Sequence, residues 1–299
     1  MTADPAKIPP APLTGEPGLS GRVLDAVAVV LAKACSVLPR RMVMGFGAGL
    51  AALGGRFMPR KTARIRENLA AAGCENPAAM GRAAWRSMGS TIMEMLWILP
   101  RQPEEILSMV KVTGVEDLLA AHKAGKGVLL VSGHIGNWEL VPLAVAAAGL
   151  RMAVVARRMT APAIERRVLA FRERGKVRSL IREEGGSGVS AYRWLRKGDV
   201  LGSMMDRLSA GRRLRVPFLG RATNMPLSPA NLACRTGAAV VMGCTRRHAD
   251  GSNEVIFKRV GTGVFTDQEE LVRAVGRALE DHLRAHPEQW FWIYRSQPV

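Results

Sequence analysis

The sequence predicts an α/β protein, a largely parallel central sheet flanked by helices, with an N-terminal helical membrane-associating segment. Residues 19–98 carry helix-compatible apolar patterning interrupted only at Pro39, Pro59, Gly73 and Pro77. From Lys111 onward, short β-favouring apolar runs alternate with amphipathic stretches of helical period, as they do where helices join parallel strands. The 299 residues, 48% of them hydrophobic, are enough to bury a sizeable core, and no internal repeat or long linker divides them.

Residues 1–18 are rich in Pro and lack an apolar core, so they read as a disordered tail and not as a signal peptide. Residues 19–38 include Arg22, Asp25 and Lys33, while 42–55 (MVMGFGAGLAALGG) are uncharged but only 14 long. A spanning helix takes roughly 20 predominantly apolar residues. Both stretches therefore suit helices lying in a membrane interface, with Arg40, Arg41, Arg56, Arg60 and Lys61 near anionic headgroups. Two ordinary buried helices are the alternative. The expected division is a tail (1–18), a helical membrane-associating segment (19–98) and an α/β domain (99–299).

Within 99–299, VEDLLAAHKAG (115–125) reads as a helix ended by Gly125, and GVLLVS (127–132) as a buried strand. A helix over 137–149, a strand over 152–156 and a helix over 161–175 follow. Next come a helix over 189–198, a strand over 199–205 and a strand over 213–219. The helix 228–237 takes Ser228 as N-cap and Pro229 at its first position. Strands 238–247 and 253–260 are separated by Asp250-Gly251, and a long amphipathic helix over 266–286 is capped by Thr266.

The net charge is +18, and it is concentrated: residues 151–221 hold 18 Lys/Arg against 6 Asp/Glu. Such an excess implies anionic partners, and arginine forks match phosphate and carboxylate bidentately. A solvated helix face is the plain alternative for any single arginine. The four cysteines, Cys35, Cys74, Cys234 and Cys244, form no CxxC pair and no His cluster completes a metal site, so they read as reduced thiols in a cytosolic setting.

The stretch GVLLVSGHIGNWEL (127–140) carries the chemistry. A buried strand ends at Ser132, Gly133 and Gly136 bracket His134 in a tight turn, and a helix is expected to start near Asn137 and carry Glu139. Ligand sites in open α/β sheets lie at the carboxyl ends of strands, where helix starts present free N–H groups. A neutral imidazole can take a proton from a hydroxyl, and a carboxylate on its other nitrogen fixes the tautomer. Within one helix, residues five apart would stand about 140° apart. With His134 in the preceding turn, Glu139 can face back to orient it. A capping His and a solvated Glu are the structural alternative.

This segment resembles the late acyltransferases of lipid A biosynthesis (lauroyl and myristoyl transferases), within the lysophospholipid acyltransferase superfamily. Their motif, a His, four residues and an acid, stands here as His134-Ile-Gly-Asn-Trp-Glu139. RIRENLAAAG (64–73), VVARRM (154–159), FRERG (171–175), MMDRLSAGRRLRVPFLG (204–220), LACRTGAAVV (232–241) and HPEQWFWIYR (286–295) resemble further family segments in family order, covering roughly 20–295. The chain departs from the family in having Asp206-Arg207 where Asp-Gln is frequent, and Tyr294-Arg295-Ser296 near its end.

The resemblance implies acyl transfer from an acyl carrier protein or CoA thioester to a lipid hydroxyl, with His134 as general base and Glu139 as its orienter. Arg157, Arg158, Arg172, Asp206 and Arg207 are then the substrate-binding candidates. It implies no cofactor beyond the acyl-thioester co-substrate, and no metal. The acceptor is a membrane glycolipid such as a lipid A precursor, with phosphatidylinositol mannosides or smaller lipids as alternatives. The oxyanion donor is a backbone N–H near Gly133 or an arginine. The expected location is the cytoplasmic face of the bacterial inner membrane, peripheral or monotopic, against an anionic surface.

A non-catalytic basic module binding membrane or nucleic acid is the competing class. Nucleic acid is disfavoured, because no zinc finger, ribonucleoprotein motif or basic zipper occurs and aromatics make up only 5%. The discriminating observation is whether His134 and Glu139 line one pocket wide enough for an acyl chain.

Overall fold

The structure, a computed structural model, describes residues 19–159, 161–206 and 211–293; the expected tail 1–18 and Arg207 lie outside these. Four helices come first: α1 (Leu19–Val37), α2 (Arg40–Arg56), α3 (Pro59–Ala71) and α4 (Pro77–Ile98). Their breaks fall where Pro and Gly stand in the sequence. Pro begins α3 and α4, a position where its missing N–H costs nothing.

The short α5 (Pro103–Leu107) leads to β1 (Val110–Thr113), α6 (Val115–Lys123), β2 (Val128–Ser132), α7 (Leu140–Ala147), β3 (Met152–Ala156), α8 (Pro162–Arg174) and β4 (Val177–Ile181). After these come α9 (Ser187–Arg196), β5 (Val200–Met204), β6 (Arg213–Phe218), β7 (Arg221–Pro226), α10 (Ser228–Thr236), β8 (Ala239–Arg247), β9 (Asn253–Arg259) and α11 (Gln268–Ala285). A 3-10 turn, Pro287–Gln289, ends the regular structure.

The sheet order is β1-β9-β8-β2-β5-β3-β4. Strands β8, β2, β5, β3 and β4 run parallel; β9 turns back antiparallel on β8, and β1 follows β9. Strands β6 and β7 form a separate hairpin. Successive strand side chains point to opposite faces, so the uninterrupted apolar run of β2 feeds two cores. Leu129 and Val131 join Leu201 and Val240 under α9, α10 and α11, while Val128 and Leu130 join Val200 and Val241 under α6, α7 and Phe171 of α8.

Several boundaries differ from expectation. Helix α7 starts at Leu140 and not near Asn137, so Glu139 precedes the helix that was expected to carry it. Asp267 caps α11, accepting from the Glu269 N–H at 2.8 Å, in place of Thr266, and Leu227 precedes α10 in the cap position expected for Ser228. Strands β1, β4 and β7 were not anticipated.

Helix α2 explains how 14 uncharged residues avoid spanning. Its small residues pack inward: a Cβ on Gly47 would sit 2.4 Å from the carbonyl oxygen of Gly89 in α4, and one on Gly89 would sit 2.1 Å from that of Gly47. The large residues Met42, Phe46, Leu50 and Leu53 are spaced to share the opposite face and are exposed. Val23, Val27 and Val30 form a similar exposed stripe on α1. Among the described residues no helix is long and apolar enough to cross a membrane.

The helical segment is locked to the sheet through Glu94 of α4, whose side chain is 1% exposed. It accepts from Arg40 Nε (2.7 Å), Arg247 Nη2 (2.8 Å) and Asn253 Nδ2 (2.7 Å), tying α2 and α4 to β8 and β9. Burial alone would raise its pKa, but Arg247 and Arg40 more than offset this and hold it below the ordinary value.

Because the folded pKa is depressed, the contribution of Glu94 is complete above the ordinary value of 4.5 and drains away as pH falls below it. Replacing Glu94 with Ala strands two half-buried guanidiniums and a buried amide and should cost about 3 kcal/mol. In urea unfolding at neutral pH the midpoint should drop sharply, with a smaller difference from the native protein in strong acid; equal midpoints at neutral pH would contradict this role.

Candidate active site

The turn after β2 is held from every side. The Ile135 N–H donates to the Gly133 carbonyl (2.8 Å), the Gly136 N–H to the Gln289 carbonyl (2.9 Å) and the Thr245 hydroxyl to the Ile135 carbonyl (2.6 Å). Gly136 has φ +49°, and a Cβ there would meet the Thr245 hydroxyl at 2.6 Å, so the turn both needs left-handed backbone and lacks room for a side chain. A Cβ at Gly133 would crowd Asp206 at 3.2 Å.

His134 rests against Asp206. Its Nδ1 lies 3.0 Å from Oδ1, and its backbone N–H donates to Oδ2 at 2.7 Å. Trp290 Nε1 also donates to Oδ2, at 2.8 Å. The Asp206 side chain is 0% exposed. Burial would push its pKa up, but the His134 ring, the Trp290 indole and the backbone N–H together hold it below the ordinary value. An ionised Asp206 accepts from Nδ1–H, which makes Nε2 the basic nitrogen. Trp138 meets the imidazole edge-on at 4.9 Å, and Phe291 meets Trp138 in turn at 5.1 Å.

Two sequence expectations are corrected here. The carboxylate on Nδ1 belongs to Asp206 and not to Glu139. Glu139 instead receives a bidentate fork from Arg172, Nε to Oε2 at 2.8 Å and Nη2 to Oε1 at 2.6 Å. Its position immediately before α7 turns it toward α8, where Arg172 lies. And Asp206, expected to touch substrate, is sealed beneath His134. Burial would lower the pKa of Arg172, but the Glu139 carboxylate outweighs it and the guanidinium is held above its ordinary value.

A cavity of about 620 Å³ opens at the carboxyl ends of β2, β3, β4 and β5, within the range of small-molecule sites. His134 and Glu139 both line it, together with Ser132, Ser203 and a largely apolar wall that includes Met95, Leu96 and Leu99. The arginines in its wall are Arg157, Arg172 and Arg182. Arg157 is 69% exposed and pairs with Glu183 at 3.5 Å. Arg158 meets Glu184 at 3.0 Å and Glu165 at 3.5 Å, cross-linking the segments that follow β3 and β4. Among the described residues no group of three His, Cys, Asp or Glu is arranged to hold a metal ion.

Sequence reasoning takes Trp290 and Trp138 as core or interface anchors with no role at the site, and passes over Arg182. Three aromatics in the run Trp290-Phe291-Trp292, within a chain that has few, were the available signal for the first. Nothing distinguished Arg182 among its neighbours.

A His–carboxylate pair in an apolar cavity suits proton abstraction from a hydroxyl, and the comparisons with known proteins name the family. The model of bacterial lipid A biosynthesis acyltransferases matches residues 20–296. The chain belongs to this family. This acyltransferase is also similar to a phosphatidylinositol mannoside acyltransferase of Mycolicibacterium smegmatis, 25% identical over 290 residues, which cover 94% of this chain and 93% of the relative. The Mycobacterium tuberculosis proteins of the same name, from two strains, are each 25% identical over 197 residues, 65% of this chain and 60% of theirs.

The geometry assigns different losses to the two acids. Asp206→Asn should lower kcat by roughly 10³- to 10⁴-fold with far-UV circular dichroism unchanged, because the wrong tautomer is favoured. Glu139→Gln should reduce the melting temperature as well, since it leaves the half-buried Arg172 without a countercharge. If Asp206→Asn keeps native kcat, Asp206 does not orient His134.

Proposed function

We propose that this acyltransferase moves a fatty acyl group from a thioester donor, carried by acyl carrier protein or CoA, to a hydroxyl of a membrane glycolipid. The observation that carries the reading is the Asp206–His134 pair in the wall of an apolar cavity that also holds arginines. His134 Nε2 takes the acceptor hydroxyl proton as the oxygen attacks the thioester carbonyl carbon. The tetrahedral intermediate collapses, the C–S bond breaks, and the departing thiolate takes the proton back from the imidazolium. Asp206 steadies that imidazolium without taking the proton itself.

The backbone N–H of His134 is committed to Asp206, which favours an arginine of the cavity wall as the oxyanion donor. Glu139 and Arg172 fix each other and that wall. Arg157 at the cavity suits an acceptor phosphate. No cofactor enters the scheme.

The acceptor class we favour combines sugar and phosphate. The family description points to a lipid A precursor, and the end-to-end similarity to a phosphatidylinositol mannoside acyltransferase favours a mannoside acceptor as the second reading. We place the reaction on the cytoplasmic face of the inner membrane, where thioester donors are made, with the exposed stripes of α1 and α2 buried in the interface.

Two experiments test this. His134→Ala should reduce acyl transfer by roughly 10²- to 10⁴-fold, and lipid mass spectrometry of cells lacking the gene should reveal one glycolipid short of one acyl chain. Native activity in His134→Ala would end the mechanism. For docking, Phe46→Asp with Leu50→Asp should release the protein from phospholipid vesicles, whereas 1 M salt, which screens charge to about 3 Å, should leave part of it bound. Unchanged binding of the double variant would remove α2 from the interface.

A further inference from the structure

We infer that the crevice between α1 and α8 is a binding site for the headgroup of an anionic membrane phospholipid, separate from the reaction cavity. It rests on the interfacial docking proposed above and deepens it. The crevice encloses about 450 Å³. Lys33 of α1 and Arg166, Arg167 and Arg174 of α8 line it, and among the described residues no carboxylate does. Arg174 is partly occupied, donating to the Leu99 and Arg101 carbonyls. Lys33, Arg166 and Arg167 have no acidic partner among the described residues.

Helical spacing places the site. On α8, residues 163, 166, 167, 170 and 174 share one face toward the crevice, while Ile164, Glu165, Val168 and Arg172 turn to the reaction cavity. Helix α8 is therefore a wall between two chambers, and Leu99 lines both. On α1, residues 29, 32, 33 and 36 face the crevice, and Lys33 borders the exposed stripe of Val23, Val27 and Val30. A cationic crevice edged by small apolar side chains and opening beside an exposed apolar stripe fits a phosphate headgroup whose tails continue along α1. An acidic protein partner would leave that stripe uncovered.

The test uses the full chain and vesicles of phosphatidylcholine alone or mixed with phosphatidylglycerol. The native protein should prefer the anionic vesicles by roughly tenfold or more, since each surface cation adds a several-fold attraction. The triple variant Lys33→Gln, Arg166→Gln, Arg167→Gln should bind both vesicles to within about twofold, yet acylate a detergent-dispersed acceptor at the native rate. A charge-matched control, Arg212→Gln, Arg213→Gln, Arg215→Gln, removes three exposed cations elsewhere and should keep the preference. Equal loss in both variants would mean that net charge alone acts, and a preference retained by the triple variant would also overturn the site. A triple variant that loses acyl carrier protein while keeping anionic preference would reassign the crevice to that acidic protein. Native protein that binds neither vesicle would refute the docking itself, whereas native binding equal on both vesicles would refute only the crevice.

Discussion

Asp206 is an acid with no access to water, and keeping it ionised ties together parts of the chain that are far apart in sequence. A carboxylate buried without compensation neutralises itself. Asp206 avoids this by accepting from the His134 ring, the His134 backbone and the Trp290 indole. Those donors come from the turn after β2 and from the C-terminal aromatic segment, and the segment is pinned in turn by Gly136 to Gln289 and by the Phe291 N–H to the His134 carbonyl at 3.3 Å. The stiffness of the turn and the orientation of the His134 ring thus have one origin. Glu139 with Arg172, and Glu94 with its two arginines, solve the same burial problem elsewhere, the first in the cavity wall and the second where the helical segment meets the sheet.

This arrangement marks what could be read from the chain. The strand, turn and His134 were legible because local rules govern them: an apolar run long enough for one buried strand, then glycines where backbone must turn tightly. The partner of His134 was not legible. Proximity in sequence favoured Glu139, but the carboxylate that reaches Nδ1 lies 72 residues away, brought alongside because β5 pairs with β2. No periodicity reports on such a contact. The missed strands have a related cause. β1 is an edge strand of four residues, mostly exposed; β4 carries Arg178 and Ser179 in its middle; β7 ends in Pro226 and pairs only in a hairpin. Each owes its conformation to its neighbour in the sheet more than to its own pattern.

The N-terminal helices separate apolar residues by size, and composition alone hides this. Polarity cannot orient α2 between Met42 and Gly55, because every residue there is apolar or glycine. Close approach to α4 at Gly47 and Gly89 orients it, since only a face of small residues admits the neighbouring backbone. The bulky residues are left outside by exclusion. A helix built this way needs a second apolar phase to cover it, and its length leaves it lying in that phase without crossing it.

Helix α4 connects this outer face to the chemistry. Gly89 and Trp85 mark its packing against α2, while Ile92, Met95 and Leu96, one to three turns further on, line the cavity that contains His134. On the proposed docking, the cavity wall nearest the bilayer is apolar and the polar groups lie at the strand ends. An acyl chain can then lie along α4 while the thioester carbonyl and the acceptor hydroxyl meet at His134, with the acceptor headgroup near Arg157 and Arg182. A membrane-resident lipid needs to be lifted only far enough to place one hydroxyl beside Nε2. Its tail passes from one apolar phase to another, so the apolar wall keeps the chain from water at little net cost in free energy. On this reading the apolar wall holds the chain, exposed Arg157 meets the headgroup, and the less exposed imidazole meets the hydroxyl.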